Sequence, residues 1–341
     1  MDLFLPRTHP AHFMLKLHTI RKIEIILQKK QASAMMKTLP KGAQFNPRRP
    51  YMKGKRAFAG HLMALLTVLV WGTTYVASDY LLESYSALQI LLLRFLLAYL
   101  VLWVLKPKFL RISSLKNELG MLALALSGVL AYYFFEARAI VHGGPTNTSI
   151  LVSTVPMWTL LLLCLTTKQT MGLRHLLGFL VAISGVVLVV YNGAAITFTM
   201  NTTAVACALG ACLCWAIYSR LINSFQKVDS ILLTRRMLFY TLIFMVPLAV
   251  FLDGVPSLKP IWNLPGALSL ALLGVFGSGI CYVWWKAAID RIGVVVTTNY
   301  VYLNPFVTMV VAVLLGREPL SVLGAVGAVM ILAGILLSNK R

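Results

Sequence analysis

Two charged residues, Arg94 and Glu136, stand inside long apolar runs of the sequence. A charge there is costly and therefore informative. On the spans set out below, Arg94 lies about two turns into the second run and Glu136 about one turn from the same end of the third. At a rise of about 1.5 Å per residue the two fall within roughly 7 Å in depth, so a pair is feasible. Such a pair either locks two helices together or is linked to a proton or solute whose arrival changes its partner. At mid-run depth, Trp71, Tyr75, Tyr133, Trp158, Trp215, Tyr218, Tyr282, Asn299, Tyr302 and Asn304 supply further groups that could shape a pocket. Aromatic faces receive apolar groups and cations, and amides and hydroxyls orient polar ends. Each of the ten also fits core packing or an interfacial aromatic belt. Pro156 and Pro305 sit mid-run, where a proline removes a helix hydrogen bond and can bend the helix.

Other chemistry-bearing residues point elsewhere. Lys286 sits at the end of an apolar run, where its stem can snorkel to the interface. Arg317 and Glu318 open the last run and read as capping and topology. His9, His12 and His18 precede the apolar region, and His61, His142 and His175 lie at run ends, so no metal cluster forms in the sequence. No P-loop is present, which argues against direct ATP drive. His142-Gly-Gly resembles part of a hydrolase oxyanion motif, but no Gly-x-Ser-x-Gly nucleophile accompanies it. The five cysteines, Cys164, Cys207, Cys212, Cys214 and Cys281, all fall in apolar runs and read as reduced, buried thiols. No cofactor and no metal is expected.

The elements that position these residues follow from composition. Of 341 residues 59% are hydrophobic and 12% charged. A soluble domain is about 45–50% apolar and about 25% charged, so a soluble enzyme, a nucleic-acid module and a disordered chain are disfavoured. The remaining class is an all-α integral membrane protein. Spans of roughly 20 residues fit at Phe58–Ala77, Ser86–Leu105, Leu119–Ile140, Thr146–Thr166 and Leu173–Tyr191. A second set fits at Thr202–Ile222, Ile231–Leu252, Gly266–Ala287, Val294–Leu315 and Pro319–Ser338. The net charge of +21 reflects orientation rather than nucleic-acid binding, because the lysines and arginines crowd into residues 1–57 and into alternate loops. The opposite loops hold only Arg138, Lys259 and Arg317. Both termini are therefore expected in the cytoplasm, which requires an even number of spans. Residues 1–57 read as a basic, poorly ordered tail, or as an over-extended start with Met35, Met36 or Met52 as initiator.

Sliding the chain by 149 residues matches it to itself without a gap. Gly128 falls on Gly277, Tyr133 on Tyr282, Gly144 on Gly293, Thr148 on Thr297, Pro156 on Pro305 and Thr159 on Thr308. Gly178 and Gly185 fall on Gly327 and Gly334, and Trp71 matches Trp215 more loosely. Each copy, 58–191 and 202–338, holds five spans. Five is odd, so the second copy must sit upside down. Ten helices in two inverted five-helix repeats point to a carrier with a midplane site where the halves meet, although some channels share the design. Interruptions at matched positions, here Pro156 and Pro305, point to that site.

The run Tyr282-Val-Trp-Trp-Lys-Ala-Ala-Ile-Asp-Arg-Ile-Gly293 is similar to the end of the eighth helix in EamA-type transporters of the drug/metabolite transporter superfamily. Tyr302-Leu-Asn-Pro305, Leu314-Leu-Gly-Arg-Glu-Pro-Leu320, Gly324 to Gly334, Trp71-Gly72 and Arg94-Phe95 resemble further segments of that family. The sequence departs from it at Gln169, where many relatives carry an acid, and at Glu136, where they carry an apolar or aromatic residue. The resemblance implies a ten-helix carrier in the cytoplasmic membrane that moves small metabolites, often amino acids and often outward. A multidrug exporter of lipophilic cations is the alternative, and an intramembrane enzyme a more distant one. The expected partners are the lipid bilayer and a small-molecule solute, with no nucleic acid. Monomer and homodimer both stay open.

Overall fold

A computed structural model describes residues 54–110, 114–167, 172–191, 202–226, 228–315 and 322–339. Most of the basic tail, residues 192–201 between the two copies, and Lys168, Gln169, Arg317, Glu318 and Pro319 lie outside the described residues. Those described are helical, with short connections and no strand among them.

The elements run α1 (Lys55–Leu82), α2 (Ala87–Leu105) and α3 (Leu115–Gly143). Next comes α4, in two pieces (Pro145–Val152 and Val155–Thr166), then α5 (Leu173–Tyr191), α6 (Thr202–Ile222), α7 (Ser230–Asp253) and α8 (Leu264–Ile292). The last two are α9, in three pieces (Val294–Thr298, a 3-10 turn Asn299–Leu303, and Asn304–Leu314), and α10 (Val322–Asn339). Among the described residues, seven helices are long and apolar enough to cross a membrane, and three shorter apolar ones accompany them. Their outward faces are greasy: Val104 and Phe251 are 83% and 88% exposed. In water such a surface would aggregate; against hydrocarbon it is matched to its solvent.

Helix ends follow local chemistry. Ser86 and Gln89 close a capping box on α2, and Asp229 accepts from the amides of Ile231 and Leu232 to start α7. α3 and α8 stop at Gly144 and Gly293, whose φ of 77° and 86° side chains rarely adopt. The two ends of the bundle differ. One is basic: Lys106 at the end of α2 meets Asp229, and Arg236 on α7 meets Glu118 at the start of α3. At the other, Ser86 bonds Asp253 and the Tyr85 hydroxyl donates to the Ser257 carbonyl.

Several helices depart from the regular spans read in the sequence. α3 and α8 each contain a π-helical stretch, Leu126–Ala131 and Leu272–Ile280, and the two overlap when shifted by 149 residues. The spans expected to be continuous at Thr146–Thr166 and Val294–Leu315 are interrupted. The bend expected at Pro156 and Pro305 takes the form of a break just before each: the proline opens the following piece, where its missing N–H is not needed.

α5 packs on α10 through glycine. A methyl group on Gly185 would lie 2.6 Å from the Gly327 carbonyl oxygen, and one on Gly178 would lie 2.8 Å from that of Gly334. Without a hydrophobic drive between helices in lipid, this backbone approach is what holds the pair. Gly334→Ala tests it. Alanine gains about 1 kcal/mol in helix propensity, but its Cβ would sit 2.5 Å from the Ala182 nitrogen, which is backbone and cannot swing aside. Overpacking of about 1–3 kcal/mol outweighs the gain, so the thermal midpoint in detergent should fall. An unchanged or higher midpoint would contradict the close contact.

Candidate functional site

The backbone irregularities border one open pocket. α1 contributes Trp71, Thr74 and Tyr75, and α3 contributes Tyr132, Tyr133 and Glu136 just beyond its π stretch. Val152 and Val155 flank the break in α4. Trp215 comes from α6, and Val301 and Asn304 from the interrupted part of α9. A second pocket shares Tyr133 and Glu136 and runs past Arg94 toward Leu82, Ala87 and Ile140, at the end opposite the basic one.

The walls are aromatic and the polar groups few. Trp71 and Trp215 meet edge to face at 5.2 Å, and Tyr133 and Tyr282 lie 6.4 Å apart. Both pairs join positions that match in the repeat. The Trp71 indole donates to the Gly277 carbonyl at 2.9 Å, and the Tyr282 hydroxyl to the Gly128 carbonyl at 2.6 Å. Gly128 and Gly277 are themselves matched, and each lies in a π stretch. Trp285 is fully buried and closes the cluster on the basic side, 4.9 Å from Trp71.

The Tyr132 hydroxyl donates to Glu136 at 2.7 Å. Arg94 is 2% exposed; its Nε donates to the Ser278 hydroxyl at 2.8 Å, and its guanidinium stacks 4.3 Å over Tyr133. Among the described residues its Nη2 has no hydrogen-bond partner. Among the described residues the ion pairs are Lys106–Asp229, Arg236–Glu118 and Lys286–Asp290, so Arg94 and Glu136 do not pair directly. The Trp215 Nε1 and Asn304 Oδ1 atoms on the cavity wall are also without partners.

Of the ten aromatic and amide candidates, Trp71, Tyr75, Tyr133, Trp215 and Asn304 line the cavity. Tyr218 and Tyr282 form the layer behind Trp215, at 5.0 and 6.0 Å. Three lie off the wall. Asn299 donates to the Ser338 hydroxyl on α10, Tyr302 packs 6.5 Å from Phe179 on α5, and Trp158 is half-buried with its indole N–H unpartnered. Sequence reading missed Thr74, Tyr132 and Trp285. The signal for Tyr132 was its i,i+4 spacing to Glu136; for Trp285 it was its place in the quoted Tyr282–Gly293 run.

Side chains cross-link the helices at the basic end. Lys286 is not at the interface: it is buried, pairs with Asp290, and donates to the Val228 carbonyl at 3.3 Å. It is fully buried, so the stem does not reach water. Arg235 donates to the carbonyls of Lys106 and Lys108 and stacks 4.3 Å over Trp103. Partial burial pushes the Asp229 carboxyl up, and the Lys106 ammonium with the Leu232 and Ile231 amides outweighs it, holding the group below its usual range.

Among known proteins, the profile of the EamA-like transporter family matches residues 58–191 and again residues 202–340. The chain is similar to an uncharacterized transporter of Archaeoglobus fulgidus, at 29% identity over 82% of this chain and 97% of the relative. It is similar to the uncharacterized transporter YyaM of Bacillus subtilis, at 25% over 82% and 93%. A probable terminal-alkyne amino-acid exporter of Streptantibioticus cattleyicolor is 26% identical over 81% of this chain and 92% of its own. One solved crystal structure, 18% identical, covers 83% of this chain and 96% of that chain with a TM-score of 0.66, a likeness of fold.

The Lys286–Asp290 pair has a clear thermal consequence. Lys286→Met removes the ammonium beside Asp290, which is partly exposed, and should lower stability by about 1–3 kcal/mol. The double variant Lys286→Met/Asp290→Leu should regain a good part of that loss. Additive losses in a thermal double-mutant cycle would show that the pair does not couple.

Proposed function

The chain belongs to the EamA-like transporter family, and we propose that it is a secondary carrier with ten spans in two inverted halves, 58–191 and 202–338, behind a basic tail at 1–57. It moves a small organic solute, an amino acid or related metabolite, outward across the cytoplasmic membrane by alternating access. Both termini are cytoplasmic, and no catalytic step is assigned to it.

The observation that carries this reading is contact between matched positions. A residue that touches its own counterpart lies on a two-fold axis. Trp71 touches Trp215 and Tyr133 approaches Tyr282. Gly178 meets Gly334 while Gly185 meets Gly327, the reciprocal pattern of two antiparallel helices related by such an axis. An axis that reverses helix direction lies across the helices, in the plane of the membrane, as in inverted-repeat carriers. The cavity sits on that axis.

The two halves do not play the same part in this state. Glu136 and Ala137 line the open cavities, while their counterparts Trp285 and Lys286 are buried in the closed basic end. Exchanging the two arrangements would open the basic end and close the other. The basic end is the cytoplasmic one by the Lys/Arg rule, so this state opens outward. The likeness to a probable terminal-alkyne amino-acid exporter supports an amino-acid-like solute. A second reading, a lipophilic-cation exporter, draws on the aromatic wall and Glu136, and buried Arg94 opposes it.

Counterflow into sealed proteoliposomes tests the carrier. Labelled amino acids from a panel should enter faster when the same amino acid is trapped inside, and the flux should saturate. Flux that rises linearly with concentration, or none for any amino acid or lipophilic cation, would overturn a carrier of either kind. Acceleration by trapped tetraphenylphosphonium alone would select the second reading.

A further inference from the structure

We propose that Arg94 and Glu136 are the two poles of the solute site: Arg94 takes a carboxylate, Glu136 takes an ammonium, and the carrier therefore selects zwitterions. This deepens the carrier reading and rests on it.

Both charges are left incomplete by the protein. Arg94 spends one N–H on Ser278 and a face on Tyr133, yet its Nη2 is buried, beside the cavity, and has no acceptor among the described residues. A buried cation with an unmet donor is costly in a membrane interior. Glu136 has a hydroxyl donor from Tyr132 but no cation. The two groups border one shared cavity, with the Tyr133 ring beside Arg94 and one helical turn before Glu136.

Charge balance then sorts the candidate solutes. A zwitterion brings one negative charge to Arg94 and one positive charge to Glu136, leaving a neutral loaded site. A lipophilic cation would satisfy Glu136 and leave Arg94 facing a like charge. A doubly charged phosphate would leave an excess negative charge next to Glu136. In a low-dielectric interior either imbalance is heavily penalised. The remaining unpartnered wall atoms fit the same solute. Asn304 Oδ1 can accept a second ammonium hydrogen, and the Trp215 indole N–H can donate to a second polar group. The aromatic faces of Trp71, Tyr75 and Trp215 are left for an apolar side chain.

The test reads binding apart from flux. The twenty L-amino acids are titrated against purified full-length protein by intrinsic tryptophan fluorescence, to which Trp71 and Trp215 report. The tightest is then compared with its methyl ester, its N-acetyl form and tetraphenylphosphonium. Each should bind at least about tenfold more weakly than the zwitterion, because each leaves a buried pole unmatched. Arg94→Gln should erase the preference for acid over ester while retaining that for free amine over N-acetyl. Glu136→Gln should do the reverse. If Arg94→Gln fails to fold, Arg94→Lys is read instead and should keep the acid preference at reduced affinity. An ester that binds the parent as well as the acid, discrimination that survives Arg94→Gln, or no amino-acid binding at all would each overturn the proposal. Saturable counterflow without zwitterion preference sinks the two-pole site and spares the carrier. Zwitterion-selective binding without counterflow sinks the carrier and spares the site.

Discussion

An unmet peptide group costs several kcal/mol in hydrocarbon, so backbone can leave the regular helix only where protein covers it and supplies replacement bonds. Four departures in the long helices lie around the central pocket: two π stretches, a broken α4 and a 3-10 turn in α9. The replacements are visible. The Trp71 indole meets the Gly277 carbonyl and the Tyr282 hydroxyl meets the Gly128 carbonyl, one in each π stretch. The glycines allow the approach: a methyl group on Gly128 would lie 2.1 Å from the Tyr218 ring, and one on Gly277 would lie 3.0 Å from Thr74. The aromatic residues thus do two things at once, closing the backbone's hydrogen bonds and forming the wall that faces the cavity.

Many features recur at matched positions in the two copies, and two charged positions do not. The glycine stops, π stretches, prolines and threonine caps recur at matched positions; Thr148 bonds the Gly144 carbonyl as Thr297 bonds that of Gly293. Glu136 against Trp285 and Ala137 against Lys286 break the pattern. A tryptophan fills volume and a buried lysine needs an acceptor, so the second half brings its own plug and Asp290 with it. A carboxylate and an alanine in the first half leave space.

The class and the repeat were legible because they rest on composition and on residues with strict backbone roles. Glycines 144 and 293 and prolines 156 and 305 stand out in any alignment of the chain with itself. Arg94 and Glu136 stood out because charge is rare in an apolar run, and five of the ten aromatic and amide candidates line the cavity. The other five show what the sequence withholds. A helix surrounded by lipid and by other helices is apolar on every side, so apolarity does not say which face turns inward. Asn299 and Tyr302 occupy the right depth and point at α10 and α5. The π stretches depend on partners far along the chain, 154 residues apart for Tyr282 and Gly128. Lys286 follows the same logic, because the Val228 carbonyl that holds it comes from the loop before α7.

Two opposite charges bordering one cavity would ordinarily collapse into a pair. Here each is held by neutral neighbours: Arg94 by Ser278 and the Tyr133 ring, Glu136 by Tyr132. A direct pair would satisfy itself, and a solute would have to break it before binding. Held apart, the charges keep their electrostatic energy for whatever bridges them, which is preorganisation in its usual sense. On the proposed reading the bridge is the solute, which links α2 to α3 while its apolar end lies against α1 and α6. The empty site is then the strained one. Relief of that strain on loading gives a physical reason for a carrier to change state with its solute bound rather than without it.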